Sequence, residues 1–127
     1  MINSRKIEDL KLNAQIKCKE FIQKCLDSKI PVKIIQTLRD SEYQNSLYQQ
    51  GRTKPGKIVT NCDGIKKKSN HQSGEAWDAV PVDDKGNILW NDKNKFKQMA
   101  DIAVSLGLIA GYYFKSLPDS PHFELKK

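Results

Sequence analysis

Ile7, Leu10, Ala14, Cys18, Phe21 and Cys25 recur at intervals of three and four, with Ile22 and Leu26 widening the stripe. No other feature of the chain restricts its fold as strongly. The spacing predicts an amphipathic helix over residues 5–28 whose apolar face must lie against a core. Pro31 ends the helical pattern, and VKIIQTL, residues 32–38, follows as a β-branched run of strand length leading to Arg39. With 127 residues in all, the expectation is one domain spanning 1–127. That is enough for a real core and too little for a catalytic domain plus a second module.

A second helix is expected from about residue 41, where Ser41 with Gln44 three residues later fits a capping box and Tyr43 and Leu47 share a face. Gly51 and the KPGK turn close it. Residues 52–70, polar and containing Gly64 and the run Lys66 to Lys68, read as a long loop. Loops beyond about 12–15 residues in a small domain are often functional. DDKGN, residues 83–87, is a turn signal between AWDAVPV and ILW, which suggests a hairpin. Phe96, Met99, Ala103 and Leu106 predict a helix over 92–106 with Gly107 as its C-terminal cap. The end of the chain gives two short apolar segments, LIAGYYF and HFEL, around a proline-bounded turn. The expected fold class is α+β: a small domain with a mostly antiparallel sheet and flanking helices.

The chain carries 22 Lys and Arg against 15 Asp and Glu, a net +7. That charge favours an anionic partner, whether nucleic acid, acidic membrane or acidic wall polymer, and does not choose among them. MINSRKIEDLKLNAQIK has no uninterrupted apolar run after its basic residues, so it does not read as a signal peptide, and no later segment is long enough to insert stably in a membrane. Synthesis in the cytoplasm is the expectation. Cys18, Cys25 and Cys62 are odd in number and lack C-x-x-C spacing, which argues against a disulfide framework and a zinc knuckle and for reduced thiols.

The only two histidines, His71 and His122, each lie within a few residues of an acid and beside a turn former. In a strand reading of AWDAVPV, Asp78 shares a face with Ala76 and Val80, and Gly74 lets the chain bend so that His71 can turn back toward Asp78. A strand at HFEL points His122 and Glu124 one way and Phe123 and Leu125 into the core. If the three converge, His71, Asp78 and His122 form a two-histidine, one-carboxylate zinc site with its fourth position open to water, the pattern of a catalytic site. Asp119, three residues before His122 across Ser120 and Pro121, can hold a carboxylate over the metal as proton acceptor, the arrangement of metal-assisted amide hydrolysis. Taken singly these signals are bland. A His and an Asp seven apart are common, Pro118 to Pro121 reads as a plain turn, Arg39 with Asp40 as a surface pair, and Lys66 to Lys68 as a solvated face.

Their conjunction is more specific. S-x-H-x-x-G-x-A-x-D, here Ser69, His71, Gly74, Ala76 and Asp78, followed by D-x-P-H at Asp119, Pro121 and His122, resembles the family of zinc D-alanyl-D-alanine carboxypeptidases and L-alanyl-D-glutamate endopeptidases that includes phage endolysins. LRDSEYQNSLYQQGRTKPG, residues 38–56, is similar to the family's segment running from an arginine through Q-x-x-L-Y to G-R-T. The resemblance covers most of residues 32–125. It implies a hedgehog/D-Ala-D-Ala-peptidase-like fold, Zn2+ held by His71, Asp78 and His122, Asp119 as catalytic base, Arg39 stabilising the developing oxyanion, and Ser69 helping to hold the substrate. The chain departs from the family at AGYYFKSLP, residues 110–118, where Phe114 stands at a position aligned to a tryptophan; Glu75 and Trp77 fall at variable positions of the first motif.

The implied substrate is the peptidoglycan stem peptide, cut by a monomer. The L-alanyl-D-glutamate bond is favoured over D-alanyl-D-alanine because the core elements use nearly all the residues and leave little for a lid, and because LYQQGRTKPG resembles the endolysin branch more closely. Action on the wall without a signal implies holin-type release or a leader already removed. Two rival classes are a basic nucleic-acid-binding or wall-binding module, whose lysines would be expected to cluster with interleaved aromatics, and a zinc-bearing domain without catalysis, against which Asp119 argues.

Overall fold

The stripe that opens the chain is buried as its spacing requires. In a computed structural model, which describes residues 1–126, Ala14, Cys18, Phe21 and Cys25 lie fully buried on helix α1 (Leu12–Asp27). The helix starts later than periodicity suggests: Ile7–Asp9 form a single 3-10 turn, and Lys11 is extended. A tertiary contact is the reason. The Lys11 amide donates to the Gly74 carbonyl at 3.0 Å, so the backbone before the helix is spent on the loop that carries His71.

The remaining elements are β1 (Val32–Gln36), α2 (Ser41–Gln49), β2 (Ala76–Pro81), α3 (Lys93–Ser105), β3 (Leu108–Ala110) and β4 (His122–Leu125). The four strands form one sheet in the order β1-β2-β4-β3, every pair antiparallel. Helices α1 and α3 supply the core: Phe21 meets Phe123 with ring centroids 4.5 Å apart and Trp77 at 6.2 Å, while Phe96, Met99, Ala100 and Ala103 bury the inner face of α3. Trp77 and Phe123 are partners across β2 and β4, so the rungs to either side, Asp78 with His122 and Ala76 with Glu124, turn to the opposite face. One face of the central pair is therefore hydrophobic and helix-covered, and the other is left for chemistry.

Two irregularities shape that second face. Between Ile34 and Gln36 the β1–β2 register shifts by one residue, a bulge that sets Gln36 rather than Ile35 opposite Asp78. Gly74, at φ 74°, makes the bend predicted between His71 and Asp78. The turn at 83–87 forms, with Asp83 accepting from the Lys85 and Asn87 amides, but the expected hairpin reduces to a single bridge between Val82 and Ile88. The ILW segment does not continue the pairing, and Trp90 at its end stays exposed. The α2 cap is Asp40, whose carboxylate accepts from the Tyr43 amide at 2.9 Å; Ser41 is the first helical residue and Gln44 is free for another use. No helix among the described residues is long and apolar enough to cross a membrane.

Candidate metal centre

The β2–β4 pairing puts His122 directly opposite Asp78, and the loop ending at Gly74 brings His71 over the same rung. His71 Nε2 lies 3.2 Å from Asp78 Oδ1 and 3.2 Å from His122 Nδ1, and His122 Nδ1 lies 3.7 Å from Asp78 Oδ1. One ligand atom from each residue falls within 4.8 Å of the others. Donors at about 2.0–2.2 Å from a tetrahedral ion sit about 3.3–3.6 Å apart, so these three edges match one face of such a site.

The outer partners of the two rings determine what faces inward. His71 Nδ1 donates to the Thr37 carbonyl at 2.8 Å, which leaves Nε2 as a lone pair. His122 Nε2 donates to Glu124 Oε1 at 2.6 Å, which leaves Nδ1 as a lone pair. Asp78 Oδ1 is buried and without a hydrogen bond of good geometry. Three converging lone pairs repel unless a cation or an extra proton lies among them, and this donor set suits a divalent metal.

The electrostatics follow the same logic. Burial disfavours the Asp78 carboxylate, but contact with His122 and His71 outweighs it and holds the group well below the usual range. Burial pushes His71 down. It opposes the charged form of His122 too, yet Asp78 and Glu124 together lift that imidazole to about 9. That proton is the one a bound metal would displace. Burial pushes the Asp119 carboxyl up to about 6, the Asp78 charge adds to the effect, and His122 and Arg39 oppose it.

A cleft of about 510 Å³ opens over the cluster, lined by Arg39, Ser69, Asp119 and all three converging residues. Arg39 does not pair with Asp40 at the surface. Its guanidinium turns inward, with Nη1 donating to Gln44 Oε1 at 2.8 Å, Nη2 3.7 Å from Asp78 Oδ2, and Nε buried without a partner. Its backbone amide donates to the His71 carbonyl at 3.1 Å, tying the arginine corner to the histidine loop. Ser69 Oγ accepts from the His71 amide at 3.2 Å and so braces that loop as well as lining the cleft. Asp119 is half-buried at the cleft wall, and no side-chain hydrogen bond from a described residue holds its carboxylate.

What positions Asp119 is backbone. Its amide donates to the Gly111 carbonyl at 2.9 Å, and its own carbonyl accepts from the His122 amide at 3.1 Å. Gly111 lies so close beneath this turn that a Cβ there would sit 2.9 Å from His122 Cβ and 3.2 Å from Asp119 Cβ. Phe114 packs its ring 5.6 Å from that of His122 and also lines the cleft.

Sequence reasoning missed three participants: Glu124, Asn70 and Gln44. Glu124 is the partner of His122 Nε2, and Asn70 Nδ2 donates to its other oxygen at 2.7 Å. The signal was present, since residues two apart on a strand share a face, but no role was assigned to it. Gln44 was assigned to a cap, and Trp77, read as variable, is fully buried in the core.

Residues 7–120 match the VanY family, described as D-alanyl-D-alanine carboxypeptidase. The chain belongs to this family. Among curated proteins, the peptidoglycan L-alanyl-D-glutamate endopeptidase CwlK of Bacillus subtilis (strain 168) is 36% identical over 104 residues, 76% of this chain and 61% of that protein. The chain thus spans about three fifths of the length of that curated relative. Among solved structures, the Serratia marcescens L-Ala D-Glu endopeptidase ChiX aligns with a TM-score of 0.71 at 20% identity, covering 98% of this chain and 89% of the other. The E175A mutant of the D,D-pentapeptidase VanY from a VanB-type resistance cassette, solved in complex with Zn(II), aligns with a TM-score of 0.70 at 10% identity, covering 98% and 78%. At these identities the structural matches establish that the VanY fold is shared.

Proposed function

We propose that residues 1–127 are a single zinc-dependent catalytic domain that hydrolyses an amide bond of the peptidoglycan stem peptide, and that the bond is L-alanyl-D-glutamate. The observation that carries this reading is the convergence of His71 Nε2, Asp78 Oδ1 and His122 Nδ1 at the floor of an open cleft. These three residues would hold the zinc, which when bound polarises the scissile carbonyl and acidifies a water. Thr37 and Glu124 keep the two imidazoles in the tautomers that ligation needs.

The chain's other groups divide the remaining work. Asp119, raised toward neutrality and unclaimed by any side-chain hydrogen bond among the described residues, accepts the proton of the attacking water and returns it to the leaving amine. The Arg39 guanidinium, desolvated and with Nε unpaired, meets the negative charge that develops on the carbonyl oxygen. Ser69 donates its hydroxyl proton to the substrate backbone while its oxygen holds the His71 loop.

The endopeptidase reading rests on the CwlK likeness, on a groove open to solvent, and on a net +7 that suits an anionic polymer. The description of the matched family supports a second reading, D-alanyl-D-alanine carboxypeptidase. Mass spectrometry of digested peptidoglycan separates them. New D-Glu amino termini, with L-Ala left on the muramyl side, are the expected products; free D-alanine as the only small product would replace the first reading with the second.

A further inference from the structure

Gln44 is the one glutamine with no exposure at all, on a helix whose other residues are partly or fully exposed. A primary amide is costly to bury unless its polar atoms are all used. Here they are: Oε1 accepts from Arg39 Nη1 at 2.8 Å, and Nε2 donates to Thr60 Oγ1 at 3.2 Å and to the Cys62 carbonyl at 2.9 Å. The orientation of the amide is fixed by its partners, because a guanidinium only donates and a carbonyl only accepts.

The geometry on the far side of Arg39 gives this contact its meaning. Nη2 stops 3.7 Å from Asp78 Oδ2, too far for a hydrogen bond, although an arginine and a carboxylate left to themselves close into a short bidentate pair. Gln44 is the only side chain among the described residues that hydrogen-bonds the guanidinium. We propose that Gln44 is a positioning residue that holds Arg39 off Asp78, so that the carboxylate stays available to the metal and the guanidinium to the substrate. The inference rests on the metal-centre reading above.

Without the amide, Arg39 collapses onto Asp78 and competes with the metal for its oxygens. The consequence is specific: loss of Gln44 harms the site only when Arg39 is present. Gln44→Ala should weaken zinc binding, measured by competition with a chromophoric chelator, by about 10- to 100-fold, the range for outer partners of a metal ligand. In an Arg39→Ala background the same substitution should leave zinc affinity unchanged and lower kcat no further. Thermal melts check that each variant folds; if Gln44→Ala does not, Gln44→Met fills the volume and takes its place.

Zinc affinity equal to wild type in the single variant, or losses that multiply in the double variant as independent packing defects would, overturns the proposal. If Arg39→Ala turns over substrate at the wild-type rate, the oxyanion role of Arg39 fails, while the zinc-affinity cycle still decides the role of Gln44. If Arg39→Ala slows turnover but the cycle is additive, the catalytic reading stands and this inference falls.

Discussion

Gly111→Ala tests whether the Asp119–His122 turn is held by close approach of backbone rather than by side chains. The added methyl would lie 2.9 Å from His122 Cβ where ordinary contact starts at 3.4 Å, and it would press harder still on the Asp119 carbonyl oxygen. Relief requires the turn to retreat by about an ångström, because interiors are too densely packed to absorb the overlap in place. Overpacking of this kind costs about 1–3 kcal/mol. A displacement of about 1 Å of a positioned group costs on the order of 100-fold in rate. The variant should therefore melt lower and lose about two orders of magnitude in kcat on a purified muropeptide. Gly107→Ala is the control: its methyl meets nothing within 4 Å, but φ is 79°. Left-handed backbone costs an L-residue about 1–2 kcal/mol, so stability should fall with kcat unchanged. Wild-type kcat in Gly111→Ala at a lowered melting temperature would refute the argument, since strain would then be present without reaching the Asp119–His122 turn.

Four further outcomes are expected. His71→Ala and His122→Ala should each lose most of the bound zinc in a metal assay of purified protein, and one zinc per chain retained in both would reject the cluster as the metal site. Asp119→Asn should keep its zinc and fold while losing about 100- to 10,000-fold in turnover, the range for a positioned general base. Glu124→Ala should weaken zinc binding by about 10- to 100-fold while leaving the fold intact, read by chelator competition. Burial pushes the Cys18 and Cys25 thiols up to about 12, so a thiol reagent at pH 8 should label Cys62 alone in the folded protein and all three cysteines in denaturant.

The parts of the structure legible in the sequence are those in which one local rule has no competitor. The Ala14, Cys18, Phe21 and Cys25 stripe could only be a buried helix face, and His122 with Glu124 on one side of a strand and Phe123 on the other followed from strand pleat alone. Where two signals stood side by side, the sequence did not rank them. Asp40 and Ser41 are both good caps, and the choice fell to Asp40 because its carboxylate also accepts from the Ile2 amide at 2.7 Å, a contact made across the fold. The same holds at residues 5–11, where helical periodicity lost to the Lys11–Gly74 hydrogen bond. Arg39 read equally well as a surface ion pair or a site residue. What decides it is a buried amide five residues on, and no pattern rule picks one glutamine out of a polar helix.

His71 and His122 are 51 residues apart in sequence, and Asp78 meets His122 only where β2 and β4 pair. Contacts of such long range form late, after the loop-closure entropy of the intervening chain has been overcome. A nascent or half-folded chain therefore carries His71, Asp78 and His122 scattered, and the proposed metal centre is not yet assembled. On the proposed function, hydrolysis becomes a property of the finished sheet, and the rate at which activity returns during refolding should be a clock for the pairing of its two middle strands.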